Sequence, residues 1–211
     1  MNITHAKKEK IEVEPLRAIF DRQKELMIKY HDIELKSGLL QTEDCPVNLD
    51  DKKGQARIKD FSWRITEEIG EAIDAIQEEE GELGLLHFHE ELIDGLHFLT
   101  EMTILTGYDL PSEWTLKKLI ENSRYSVGIF ELEDFVTTHV KDLGMMCNCL
   151  KNKPWKQSMM KTNKTNFFFR LRLVWINYIG LLTSQGLTEE DIVDIYLKKS
   201  QVNQFRQRSN Y

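Results

Sequence analysis

The chain has 211 residues, 41% hydrophobic and 30% charged, which suits a folded globular protein and is enough for one sizeable domain spanning 1–211. A formal net charge of −7 argues against affinity for a nucleic-acid polymer, which calls for a basic face. No stretch approaches the roughly 20 apolar residues of a bilayer span, and residues 1–8 have no apolar h-region, so neither a membrane segment nor a secretory leader is expected.

Four prolines and eleven glycines punctuate the chain too sparsely for an all-β fold, and apolar residues recur at helical spacing, so an all-α helical bundle is expected. The first helix is predicted over about 15–35, opening on Pro15, with Leu16, Ile19, Phe20, Leu26, Met27 and Tyr30 as its apolar stripe. Residues 36–55, with Gly38, Pro46, Asn48 and a run of aspartates, read as a loop. Ile65, Ile69, Ile73 and Ile76 mark a second helix over about 57–80, which the glycines at 81 and 84 break. A third helix follows over about 86–106 and ends at Gly107, a residue suited to a left-handed C-terminal turn.

Beyond Pro111 the pattern predicts helices near 112–125 and 130–150, a polar connector at about 152–166, and a helix over about 167–184. The apolar run Phe167, Phe168, Phe169, Leu171, Leu173, Val174 and Trp175 reads as core or dimer interface. The last helix is marked by Thr188 three residues before Asp191, a capping-box spacing, with Leu187 placed to staple onto Ile192. Cys45, Cys147 and Cys149 complete neither a paired set nor a zinc pattern and read as free thiols in a reducing cytoplasm.

Chemistry concentrates in two acidic pairs. Glu68 and Glu71 share a helix face, with Glu67 beside them; Glu91 and Asp94 repeat the spacing on the next helix. If those helices pack antiparallel, the pairs meet. Two carboxylates about 5 Å apart repel by roughly 3 kcal/mol at an effective dielectric near 20. Protons or divalent cations must then relieve the charge, and hard oxygen donors on facing helices suit Mg²⁺ or Mn²⁺. Magnesium usually bridges to substrate phosphates, which points to a phosphate-bearing ligand. The same spacing also occurs on purely solvated faces, the reading given to Glu78, Glu79, Glu80 and Glu82. His87 and His89, two apart on a helix, point away from each other and suggest no metal site. His97, one turn after Asp94, reads either as a support of the acidic site or as a packing histidine.

Glu67-Glu68-Ile69-Gly70-Glu71 and Glu91-Leu92-Ile93-Asp94 match E-E-x-x-E, a gap, then E-x-x-D, and Gly95-Leu96-His97-Phe98 continues the second motif. In these residues the chain resembles the all-α NTP pyrophosphatase superfamily, which includes MazG-like enzymes and the dimeric dUTPases. The C-terminal stretch from Tyr196 to Tyr211 is similar to the K-N-x-x-N-x-x-R-Q-x-x-G-Y tail of the dimeric dUTPases, and to that of the bacteriophage dCTP/dUTP pyrophosphatases. Lys199, Asn203, Arg206, Gln207 and Tyr211 match it; Ser200 stands for the asparagine and Asn210 for the glycine. Asp21-Arg22-Gln23-Lys24-Glu25-Leu26 resembles the first-helix segment whose glutamine contacts the base, and Trp63 stands where the family often has an aromatic near the nucleoside.

The resemblance implies hydrolysis of dUTP, dCTP or both to the monophosphate and pyrophosphate, by a cytoplasmic homodimer. It implies two or more Mg²⁺ ions, with Mn²⁺ a possible substitute, on Glu68, Glu71, Glu91 and Asp94. Glu68 or Glu67 would be the general base. Lys199, Asn203 and Arg206 would contact phosphates, Tyr211 would cap the nucleotide, and Gln23 and Trp63 would meet the nucleoside. These motifs cover about 16–107 and 170–211 and leave 112–166 as an additional helical segment. Two other readings stay open: a MazG-like enzyme for another or a modified nucleotide, and a non-catalytic helical interaction protein.

Overall fold

A computed structural model describes residues 3–37, 45–126, 132–153, 155 and 157–208. Among them, seven α-helices follow a short helical turn at Ile3–His5, and no strand occurs. They are α1 (Pro15–Ser37), α2 (Lys52–Glu78), α3 (Gly81–Leu105), α4 (Leu116–Ser126), α5 (Leu132–Cys147), α6 (Lys164–Ser184) and α7 (Glu189–Arg208). The all-α bundle expected from the spacing is therefore present.

Helix α3 is the hub, packing against α1, α2, α6 and α7. Its buried residues include Phe88, Leu92, Ile93, Leu96, Leu99 and Met102, apolar over most of its circumference, as a helix enclosed by others must be. The two-residue link at Glu79 and Glu80 folds α2 back along α3 as a hairpin. From α2 come Ile58, Phe61, Ile65, Ile69 and Ala72, a stripe at three- and four-residue steps. Each fully buried aliphatic or aromatic side chain of this kind contributes roughly 1.5–3 kcal/mol.

Several boundaries differ from those the sequence suggested. The α2 helix starts at Lys52, inside the predicted loop, because Asp51 caps it by accepting from the Gly54 amide at 2.6 Å. Helix α3 starts at Gly81, so Gly84 lies within its first turns and not in a break. Gly107 has φ +68°, the left-handed turn expected after α3. The Thr188 cap is also present: Thr188 N donates to Asp191 Oδ2 at 2.9 Å, and Asp191 N to Thr188 Oγ1 at 3.2 Å.

Segment 112–166 belongs to the same buried cluster, through Leu116, Leu119, Phe135, Leu143, Met146 and Leu150. Helix α5 packs on α6 and α2, and α4 on α6 and α7. The apolar run of α6 is core: Phe167, Leu171, Val174 and Trp175 are buried within the chain, while Phe169 is exposed. Trp175 stacks on Phe20 with centroids 5.6 Å apart and donates to Thr103 Oγ1 at 2.9 Å, so its polar edge is satisfied. No helix among the described residues is long and apolar enough to cross a membrane.

Candidate active site

The α2–α3 hairpin brings the two acidic pairs together. One carboxylate oxygen from each of Glu68, Glu91 and Asp94 lies within 4.8 Å of the other two. Glycine at residue 95 lets Tyr178 of α6 reach the back of α3. A Cβ there would meet Tyr178 Oη at 2.1 Å and Glu68 Cβ at 3.4 Å. The Tyr178 hydroxyl uses that space to donate to Leu92 O at 2.7 Å, tying α6 to the back of the cluster. Glu71, one turn beyond Glu68, and Glu67 are both exposed, and Glu67 accepts from Trp63 Nε1 at 2.7 Å.

Crowding shows in the proton affinities. Burial, then the charges of Asp94, Glu71 and Glu91, push the Glu68 carboxyl up to about 8. Burial also raises Asp94, to about 6, although the Lys199 ammonium pulls the other way. Lys199 Nζ sits 2.5 Å from Asp94 Oδ2 and 3.6 Å from Glu90 Oε2. His87 Nε2 lies 3.1 Å from Glu91 Oε1 and His87 Nδ1 3.2 Å from Glu79 Oε1, so this histidine braces the cluster from outside. Three hard oxygen donors on facing helices, short of compensating charge, form a set able to hold a metal ion.

Beside the cluster opens a cavity of about 300 Å³, lined from α1, α2, α3 and α7. Glu68 and Asp94 stand in its wall, and Asp94, His97 and Glu101 follow one face of α3 at steps of three and four. Gln23 is 3% exposed and bonded at both ends of its amide: its Nε2 donates to Glu101 Oε2 at 2.9 Å, and its Oε1 meets His97 Nδ1 at 2.9 Å and the Tyr196 hydroxyl at 2.8 Å. His97 stacks on Tyr196 with centroids 3.7 Å apart. Burial, reinforced by the Lys199 and Arg22 charges, holds His97 down at about 3, so the ring is neutral. With the Tyr196 hydroxyl also donating to Gln23 Oε1, the His97 proton belongs on Nδ1.

The residues singled out in the sequence thus fall into three groups. Glu68, Glu91 and Asp94 converge, with Lys199 on Asp94, and Gln23 and Asn203 line the cavity. Glu67, Glu71, Trp63 (62% exposed) and Arg206 stand at the surface outside that convergence. Tyr211 and the side chain of Gln207 lie outside the described residues. Sequence reasoning missed Tyr30, Arg64, Phe98 and Glu101 in the cavity wall, and His87 beside Glu91. Glu101 carried a signal: it lies seven residues after Asp94 and four after His97, on the same face.

A family model described as dUTPase matches residues 16–211. The chain belongs to the dUTPase family. Membership makes this dUTPase-family protein a nucleotide hydrolase of the pyrophosphatase type. The matched span includes α4 and α5. No curated protein and no solved structure matches the chain.

Proposed function

We propose that the protein hydrolyses a deoxynucleoside triphosphate, dUTP or dCTP or both, to the monophosphate and pyrophosphate. Glu68, Glu91 and Asp94, with Glu71 alongside, would hold Mg²⁺, or Mn²⁺ in its place. The observation that carries this reading is the junction of the three carboxylates with the cavity of about 300 Å³, in a chain of this family. A divalent cation there supplies neutralising charge for the triphosphate and lowers the pKa of a bound water.

The protein's own groups do the rest. Glu68 takes the proton of the attacking water on a carboxylate oxygen. Glu67, its neighbour in the chain, is the alternative base. Lys199, Asn203 and Arg206 follow one face of α7 at steps of four and three, so lysine, amide and guanidinium can line up along the phosphates. Arginine can bind two phosphate oxygens at once. Gln23 meets the base, Trp63 covers the nucleoside from outside, and Tyr211 caps the nucleotide.

We further place the protein in the cytoplasm as a homodimer of single-domain protomers. Three free cysteines support the compartment. Light scattering on the purified protein tests the assembly.

Incubating the protein with each deoxynucleoside triphosphate, with Mg²⁺ or with a chelator, and resolving the products by phosphorus NMR tests the activity. The expected result is monophosphate and pyrophosphate in equal amounts from dUTP, dCTP or both, only with the metal. No turnover of either, or release of orthophosphate, overturns the reading.

A further inference from the structure

Residues 3–14 precede both α1 and the family match, which begins at residue 16, yet they are tied down along their length. At one end Ile3 is buried in the short turn that packs on α7. At the other, the Glu14 carboxylate accepts from Arg17 N at 3.0 Å and from Leu116 N at 2.9 Å, joining the starts of α1 and α4.

Between these anchors Glu9 bridges α1 and α7. Its two oxygens accept from Arg22 Nη1 and Nη2 at 3.0 and 2.6 Å, a two-pronged ion pair. Oε1 also accepts from Gln201 Nε2 at 2.7 Å. The same amide holds the strap's backbone: Gln201 Nε2 donates to Lys7 O at 2.8 Å, and Oε1 accepts from Lys7 N at 3.1 Å. Both amide hydrogens of Gln201 are therefore used. Hydrogen bonds from Arg22 hold the Glu9 carboxyl below the usual carboxylate range, so the bridge stays charged.

The positions of Arg22 and Gln201 give this bridge a bearing on the site. Arg22 directly precedes Gln23, which lines the cavity. Gln201 stands two residues from both Lys199 and Asn203, and residues two apart on a helix do not share a face. Lys199 meets Asp94 and Asn203 lines the cavity, so Glu9 holds the outer face of α7 while its inner face meets the site. We propose that Glu9 is a positioning residue, which sets the depth of α7 so that Lys199 and Asn203 reach the substrate phosphates. This rests on the nucleotide pyrophosphatase reading above.

The test is KM and kcat for the triphosphate that the wild type turns over, dUTP or dCTP, in Glu9→Ala, Gln201→Met and the double variant. Neither side chain is fully buried, so the core is left intact. Each single variant cuts the same tie from a different element. Each should raise KM by about tenfold, and the double variant should match the larger single effect. Changes in kcat should be smaller, since a phosphate contact made in ground and transition state alike acts on binding. Loss of folded enzyme would instead lower kcat and leave KM alone. Mn²⁺ affinity should stay at the wild-type value in all three, because the three carboxylates stand on α2 and α3. Unchanged KM in either single variant, effects that multiply in the double, or Mn²⁺ binding that weakens along with KM overturns the inference alone. Turnover of neither dUTP nor dCTP by the wild type overturns the pyrophosphatase reading, and this inference with it.

Discussion

Lys199 Nζ lies 2.5 Å from Asp94 Oδ2, so the acidic cluster carries a cation of its own from α7. Burial would lower the pKa of Lys199, yet Asp94, Glu91 and Glu90 outweigh it and hold the ammonium above its ordinary value. Lys199→Met leaves Asp94 half-buried without its partner. The expected loss is about 1–3 kcal/mol in urea unfolding near pH 8, with a fall in kcat/KM as the phosphates lose a cation. The stability loss should shrink near about pH 5, where Asp94 takes up a proton. Equal stability loss at both pH values contradicts the pairing.

A second expectation concerns pH. Glu68 is held at about 8, well above its unfolded value, so the folded state keeps a proton that the unfolded chain has released. Its contribution to stability is complete below about pH 4.5 and is lost as pH rises through about 8. His97 and His139, both held down at about 3 by burial, act in the opposite sense, but only below about pH 6.5. Between about pH 6.5 and 8.5 the Tm of the metal-free protein should therefore fall. Glu68→Gln should flatten that slope, and the Tm gain from Mg²⁺ should grow along it. Calorimetry across this window checks all three; a metal-free Tm that rises with pH contradicts the account.

Gly95→Ala tests the close approach behind the site. The added Cβ would lie 2.1 Å from Tyr178 Oη and displace the hydroxyl from Leu92 O. Overpacking of this kind costs about 1–3 kcal/mol, and each kcal/mol lowers Tm by about 2–4 °C in a chain of this size. Glu68 Cβ, 3.4 Å from the same atom, is at ordinary contact distance, so the effect should fall on stability first. A wild-type Tm in this variant would show that the glycine is not needed.

Helix identity was legible in the sequence because burial is periodic. Ile65 and Ile69 on α2, and Leu92, Leu96 and Leu99 on α3, announce both the elements and their buried faces. Boundaries were less legible where one polar side chain decides them. Asp51 lies among several residues of loop character, and only the folded chain shows that it caps α2. Glu68, Glu91 and Asp94 could be found from spacing, since two helices joined by a tight link must align their faces.

The Glu101 end of the cavity was legible only at Gln23, which the family resemblance singled out. Gln23, Glu101 and Tyr196 come from α1, α3 and α7, and no local pattern links residues 173 apart in the chain. Ile76 shows another limit of periodicity: it continues the α2 stripe in sequence yet is 40% exposed, because the buried face of α2 runs on through Ala72 and Ala75.

The most direct test of the metal site is Mn²⁺ titration, followed by the paramagnetic resonance of the free ion, on the wild type and Glu91→Gln with matched circular dichroism. The wild type should bind Mn²⁺, and the variant should bind it about tenfold more weakly or worse. Equal binding to both proteins, or none to either, contradicts the assignment.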